Sequence, residues 1–216
     1  MSIPIHWGER IIDDTKVINT VTLGALEPDI FPQVIITNNS EQRSTDYFPM
    51  NSLPGKDWRE LYGQLTAEEN LIILKETVRQ IELVYKKYGI LLRDRHPGNI
   101  RVHVNDNYRV WQMDLEDVYD AVTDQMFLPT LPEIRSRGNI VPLSQRGATY
   151  LLSSILSGLV HSLSVAFRFT ETSAKLKSTL SKILAEIEWD QKRNFPEKVN
   201  FEQVNTWIDL LLEAAK

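Results

Sequence analysis

Residues 66–89 carry a complete set of helix signals, and this segment constrains the fold more than any other. Thr66 begins a Ser/Thr-x-x-Glu capping box that ends at Glu69, and Gly89 is typical of a helix C-terminus. Between them, apolar residues recur every three or four positions, at Leu71, Leu74, Val78, Ile81 and Tyr85. The pattern predicts one long amphipathic helix whose apolar face is buried under other elements.

Two different patterns lie on either side of this helix. Runs of β-branched residues at 16–23 and 33–37 predict strands in the first 50 residues, and the turn-forming residues 49–55 favour a linker after them. Beyond the helix, apolar periodicity predicts three more helices, at about 147–168, 172–189 and 201–214. We therefore expect an α+β fold with a small β-rich part, 1–50, and a larger, mainly helical part, 51–216.

The composition narrows the possible functions. Hydrophobic residues make up 42% of the 216 residues, which is enough for a sizeable core, and the net charge of -5 argues against binding nucleic acid through bulk charge. The absence of cysteine excludes thiol nucleophiles and thiolate metal ligands, so any metal would bind oxygen or imidazole. No signal-peptide pattern and no apolar run of about 18 residues occurs, so we expect a cytoplasmic protein without a membrane span.

Polar residues gather around a predicted β-hairpin. Its strands, 102–104 and 109–113, flank turn-forming Asn and Asp residues. Because an antiparallel hairpin brings its two ends together, we expect Asp94 and Asn99 before it to lie near Asp114 after it. Two carboxylates and an amide oxygen suit Mg²⁺, and a phosphoryl-transfer site needs this set of groups. Asp94 and Asn99 are also ordinary turn residues beside Pro and Gly, and that simpler interpretation remains open.

At these residues the sequence resembles the kinase-like superfamily. The segment Leu92-Arg93-Asp94-Arg95-His96-Pro97-Gly98-Asn99-Ile100 is similar to the catalytic loop, H-R-D-L-x-x-x-N in protein kinases, with the same five-residue separation of Asp and Asn. Fifteen residues after Asn99, Asp114-Leu115-Glu116-Asp117 resembles the metal-binding D-F-G segment. The His and the acidic residues after the metal Asp are more similar to aminoglycoside, choline and lipopolysaccharide sugar kinases than to protein kinases. Residues 47–53 resemble the hinge between two lobes.

The resemblance implies a two-lobed, ATP- and Mg²⁺-dependent phosphotransferase. In such an enzyme Asp94 would be the catalytic base, and Arg93 would orient the neighbouring acids. Asn99 and Asp114 would bind the metal and contact the nucleotide, with Glu116 as a further metal ligand. The acceptor would be a hydroxyl of a small molecule, a sugar or a protein.

The part before the hinge departs from the family pattern. No Gly-x-Gly-x-x-Gly occurs, and the 46 residues before Tyr47 are fewer than a full N-lobe occupies, which implies an abbreviated N-lobe. Lys16 is the only plausible phosphate-binding Lys there, with Glu27 as its predicted partner. Two alternatives therefore stay open: a pseudokinase that binds a partner protein, and a split kinase whose N-lobe is completed by another chain.

Overall fold

The chain folds into a mixed α+β structure, as predicted, in which about 60% of the described residues are helical. The computed structural model describes residues 7–10, 14–33, 47–115, 118–120, 145–191 and 199–216. Side chains are described for residues 19–33, 50–115, 118, 152–190 and 199–216.

The predicted long helix is confirmed as α2, Ala67–Tyr88. Thr66 Oγ1 accepts a hydrogen bond from the Glu69 amide at 3.2 Å, and Glu69 Oε2 accepts one from the Thr66 amide at 2.6 Å. At the other end Gly89 adopts a left-handed conformation with φ of 70° and donates its amide to Tyr85 O at 2.8 Å. Four residues of the predicted stripe are completely buried: Leu71, Leu74, Val78 and Ile81.

Three further helices confirm the predicted helical C-terminal part. They are numbered here α3 (Gln145–Ala166), α4 (Ala174–Gln191) and α5 (Phe201–Ala215). Helix α2 packs against α3 and α5, and α4 packs against the same two helices. The buried face of α2 is thereby covered. None of the helices in the described part of the chain has the length and apolar character needed to cross a bilayer.

Short strands surround the end of α2. The strands are β3 (Lys56–Asp57), β4 (Ile90–Leu92), β5 (Ile100–His103), β6 (Arg109–Gln112) and β7 (Val118–Asp120). The predicted hairpin is confirmed, since β5 and β6 pair antiparallel, and β5 also pairs with the two-residue strand β3. In addition, β4, which follows α2 directly, pairs antiparallel with β7.

The first 50 residues differ from the prediction. Strands β1 (Trp7–Arg10) and β2 (Tyr47–Met50) pair antiparallel, but the strand expected over 16–23 is wrong, because α1, Asp14–Leu26, occupies that segment. Among the described residues of this part, 13 are helical and eight lie in the two strands. The strand expected over 33–37 lies outside the described residues from position 34 onward.

Burial explains why α1 is helical despite its β-branched composition. Asn19, Thr20, Leu23 and Gly24 are buried, and residues at this spacing share one face of a helix but not of a strand. Gly24 lies so close to a neighbouring segment that a Cβ there would come within 2.4 Å of Pro32 O. Tertiary packing along this face outweighs the local β propensity.

The predicted pairing of Glu27 with Lys16 is wrong. Eleven residues along α1 correspond to about 16 Å, which is beyond the reach of the two side chains. Glu27 Oε1 instead accepts hydrogen bonds from Lys87 Nζ at 2.6 Å and Tyr88 Oη at 2.7 Å, at the end of α2. These bonds lower the pKa of the Glu27 carboxyl below its usual value. The two hydrogen bonds of Glu27 therefore connect the C-terminal end of α1 to the C-terminal end of α2.

The capping box at Thr66 gives a first test of the fold. Thr66→Ala removes the acceptor for the Glu69 amide, and we expect the free energy of unfolding to fall by about 1 kcal/mol. Thr179→Ala, inside the partly exposed α4, is the matched control and should change stability by less than about 0.5 kcal/mol. Urea denaturation measures both, and equal effects of the two substitutions would contradict the capping role.

The pairing of Glu27 predicts a pH dependence. Its lowered pKa means that the ionised carboxylate stabilises the folded chain above the unfolded-state pKa, about 4.3, and that this stabilisation is lost as the pH falls below it. Glu27→Gln should therefore be less stable than the wild type at pH 7, and the difference should shrink towards pH 3. Thermal denaturation between pH 3 and 7 checks this, with the exposed Glu171→Gln as the control; a difference that does not vary with pH would exclude it.

Candidate active site

Two loops carry the residues that resemble a kinase site. The strands that precede one loop and follow the other are paired with each other. The Asp94 loop, residues 93–99, joins β4 to β5, and the Asp114 loop, described for residues 113–115, lies between β6 and β7. Leu92 is paired with Val118, and Ile100 with Gln112, so both loops begin and end on neighbouring strands. The two loops are therefore held side by side, as the hairpin argument predicted.

Asn99 makes the direct contact with Asp94. Its Nδ2 donates a hydrogen bond to Asp94 O at 3.0 Å and lies 3.5 Å from Asp94 Oδ2. The Asn99 carbonyl accepts the Met113 amide at 2.8 Å, which links the residue to the second loop. Asn99 is buried, and because its Nδ2 is turned towards Asp94, Oδ1 is the amide atom that can coordinate a cation.

Both loop aspartates adopt an unusual backbone conformation. Asp94 has φ of 47° and Asp114 has φ of 53°, in the left-handed region that side chains with a Cβ rarely occupy. The other two such non-glycine residues in the described part of the chain, Asn107 and Tyr108, lie in the tight turn of the β5–β6 hairpin. Backbone strain outside a hairpin turn persists only where the surroundings hold it, and it is concentrated at functional sites.

Arg95 supplies that restraint, and it was not among the predicted site residues. The side chain is 5% exposed. It donates hydrogen bonds to three carbonyls, from Nε to Arg93 O at 2.7 Å, from Nη1 to Met113 O at 2.6 Å and from Nη2 to Asp114 O at 2.6 Å. The kinase pattern has Leu at this position. A charged residue directly after the predicted base was therefore the signal that could have identified it.

His96 braces the turn between Asp94 and Asn99. Its Nδ1 accepts the Gly98 amide at 3.0 Å, which caps the short 3₁₀ turn Pro97–Asn99. Its Nε2 lies 3.9 Å from Asp94 Oδ2. The Arg59 guanidinium lies against Gly98, since a Cβ there would come within 2.0 Å of Arg59 Nη2.

Helix α1 is tied to the second loop through Asn19. The Asn19 side chain is buried, and its Nδ2 donates a hydrogen bond to Leu115 O at 2.8 Å, next to Asp114. The sequence did not suggest this role, because the segment was predicted to be a strand. Lys16 lies three residues earlier and so shares the Asn19 face of α1. The side chain of Lys16, and the whole of Glu116, lie outside what the structure describes.

Exposure differs between the residues of this site. The Asp94 side chain is 61% exposed, whereas Asn99 is 6% exposed. Asp94, Arg93 and Arg95 also border a cleft of about 240 Å³, whose other wall is formed by α3. The Asp94 carboxylate can therefore meet a molecule from solvent, while Asn99 is held in the loop.

The donor set fits Mg²⁺ better than a tightly coordinating transition metal. Among the described residues, no group of three or more His, Cys, Asp and Glu side chains is arranged to hold a metal ion. Asn99 and Asp114 provide one amide oxygen and one carboxylate. Mg²⁺ is typically bound by one or two carboxylates together with waters and substrate phosphates.

Comparison with known proteins gives no assignment. No protein-family model matches the chain, and no curated protein sequence matches it.

The bridging role of Arg95 can be tested by its removal. Arg95→Ala leaves the carbonyls of Met113 and Asp114 without this donor, and we expect the free energy of unfolding to fall by about 3 kcal/mol. Arg95→Lys keeps the charge but cannot span three carbonyls, so it should recover only part of the loss. Arg168→Ala, at an exposed position, is the matched control and should change stability by less than about 0.5 kcal/mol. Chemical denaturation measures all three; equal stability of Arg95→Ala and Arg168→Ala would refute the bridge.

Proposed function

We propose that the chain is a kinase-like phosphotransferase that moves the γ-phosphate of ATP to a hydroxyl acceptor, with Mg²⁺ as cofactor. One observation carries the proposal: the Asp94 loop and the Asp114 loop are fastened together, with Asn99 bonded to Asp94 and Arg95 bonded to the carbonyl of Asp114. The kinase resemblance requires these loops to act together. Their spacing along the chain and their contact in the fold are independent observations.

Asp94 is the proposed base. Its exposed carboxylate would accept the proton of the acceptor hydroxyl as that oxygen forms a bond to the γ-phosphorus. The bond from the γ-phosphorus to the bridging β–γ oxygen breaks, and ADP leaves with the electron pair. Such transfers depend mainly on positioning and charge stabilisation, which agrees with the restrained backbone of the loop. Arg93, directly before Asp94 and on the same cleft, would orient the acids or the phosphate.

Asn99 and Asp114 are the proposed cation ligands. When bound, Mg²⁺ would neutralise the charge on the nucleotide phosphates and hold them for in-line transfer. Asn99 would offer Oδ1, because Nδ2 is committed to Asp94. Glu116 follows Asp114 closely enough in the sequence to add a carboxylate. Lys16, on the Asn19 face of α1, is the proposed phosphate-binding Lys, which assigns this role to a helix rather than a strand.

Substitution of the base separates chemistry from binding. Asp94→Asn should lower ATP-dependent phosphate transfer about 10³-fold while Mg²⁺-ATP binding is kept, because the amide cannot accept the proton. Asp106→Asn, in the exposed hairpin turn, is the matched control and should transfer at the wild-type rate. Isothermal titration calorimetry measures binding, and transfer of labelled phosphate measures chemistry. Wild-type transfer rates in Asp94→Asn would disprove the role of Asp94.

The metal ligands are tested in the same assay. Asn99→Ala and Asp114→Asn should each raise the Kd of Mg²⁺-ATP about tenfold, or about 1.4 kcal/mol. Unchanged affinity in both variants would rule out the proposed metal ligands.

A second candidate is a chain that depends on a partner to bind nucleotide. It is favoured by the helix at 14–26, which takes residues from the expected N-lobe sheet, and by the absence of a Gly-x-Gly-x-x-Gly segment. Calorimetry with Mg²⁺-ATP separates the two candidates. Binding by the chain alone supports the autonomous enzyme, whereas no binding supports a pseudokinase or a split kinase.

A further inference from the structure

Helix α4 has one exposed face along its whole length. Lys175, Ser178, Lys182, Ala185 and Trp189 follow one another at spacings of three or four residues, so they lie on the same side of the helix. All five are exposed, whereas other residues of α4 are buried against α3 and α5. We call this set of five residues the α4 face.

Trp189 is the unusual member of the α4 face. Its side chain is 63% exposed, whereas Trp58, Trp111 and Trp207 are at most 4% exposed. An indole gains more from burial than most side chains, and tryptophan is enriched among the residues that carry the binding energy of protein interfaces. The exposure of Trp189 therefore points to a protein surface that covers it.

The charges of α4 run against its own dipole. Lys175 and Lys177 lie in the first turn, and Glu186 and Glu188 lie near the end, so the helix has no acidic residue in its first turn and no basic residue in its last. A helix is stabilised by the opposite order. Within the described part of the chain, Lys175 and Glu186 also make no ion pair. Local helix stability does not explain this charge order.

The charge order does match a second copy of the same helix. When two α4 helices pack antiparallel, Lys175 of each copy lies opposite the turn that carries Glu186 and Trp189 of the partner subunit. Its ammonium can pair with that carboxylate or lie over that indole. The contact occurs twice because a two-fold axis relates the copies. Parallel packing would place like charges together.

We propose that the α4 face is the contact surface of a homodimer, in which a second copy of this chain packs antiparallel on it. The inference does not depend on the proposed phosphotransferase function. Helix α4 has 18 residues and is about 27 Å long, so a contact one helix wide buries roughly half of the ~800 Å² per partner of a stable complex. Lys182 lies near the two-fold axis and faces its own copy. We therefore expect a weak, salt-sensitive dimer.

Sedimentation velocity of the full chain, from about 10 µM to about 1 mM, measures the dimer Kd. The mass of the wild type should rise from monomer towards dimer over this range. Trp189→Ala should raise the Kd about tenfold or more, because it removes the aromatic anchor. Leu210→Ala is the matched control: Leu210 is 48% exposed on α5, and its loss should leave the Kd unchanged.

Charge reversal tests the antiparallel arrangement. Lys175→Glu and Glu186→Lys should each raise the Kd about tenfold, because each places like charges opposite one another. The double variant, Lys175→Glu with Glu186→Lys, should recover the wild-type Kd. Lys175→Glu also adds an acid to the first turn of α4, which favours the helix. An undiminished melting temperature therefore shows that the weaker association does not come from unfolding.

The absence of cysteine from the chain allows a cross-linking test. Ser181→Cys places one exposed thiol near the middle of α4, so the thiols of two copies lie close to the two-fold axis. A mild oxidant should convert this variant rapidly to a disulfide-linked dimer. Thr206→Cys, at an exposed position of α5, should cross-link much more slowly.

Three results would overturn the dimer on α4. The wild type could remain a monomer over the whole concentration range. It could form a dimer whose Kd is the same in Trp189→Ala and Lys175→Glu, which would place the contact elsewhere. It could also stay monomeric and sediment with phosphatidylserine vesicles, which would assign Trp189 and the lysines to a membrane surface. None of these results bears on phosphate transfer.

Discussion

The site depends on one buried cation. A guanidinium removed from water is costly unless its donors are hydrogen-bonded, and Arg95 satisfies this requirement with carbonyls from both loops. Movement of either loop would break charge-assisted bonds in a poorly hydrated environment, so the two loops are energetically coupled. The coupling reaches the two loop aspartates directly, because Arg95 follows Asp94 in sequence and binds the carbonyl of Asp114 itself. A hydrophobic residue at this position could fill the same space but could not restrain the second loop.

The scaffold around the loops reinforces this link with further buried polar contacts. Gln80 on α2 donates a hydrogen bond to Val110 O at 2.9 Å, and Gln112 Nε2 donates one to Gln80 Oε1 at 2.9 Å. Both glutamines are buried, so the β5–β6 hairpin is attached to α2 by directional bonds as well as by apolar packing. Asn19 attaches α1 to the Asp114 loop in the same way. Side chains on loops are held accurately only when the elements at their ends are fixed, and here each end lies on a paired strand.

Local patterns predicted the parts of the fold that local interactions determine. The helix after Thr66 carries its own cap and apolar stripe, and the β5–β6 hairpin carries its own turn residues, so neither needs tertiary information. Helix α1 was predicted wrongly because its β-branched residues favour a strand, whereas burial of Asn19 and close packing at Gly24 determine its conformation. The role of Asn19 has no sequence pattern, since its side chain binds a backbone carbonyl, which every residue offers. For Arg95 the one signal is a charged residue where the kinase pattern has Leu. The nearness of the Asp94 loop to the Asp114 loop was predictable, because hairpin geometry places the loop ends together.

The conformations of the two aspartates bear on whether they are only turn residues. At a left-handed position glycine avoids the steric cost of a Cβ, so a loop selected only for its shape would gain about 1 kcal/mol from glycine there. Asn107 occupies such a position in the hairpin turn, where a short polar side chain is a common compromise. Asp94 and Asp114 lie outside that turn, in two loops joined by a buried arginine, and each retains a carboxylate at a strained position. A shared need for the two carboxylates, as the proposed function requires, would account for this arrangement.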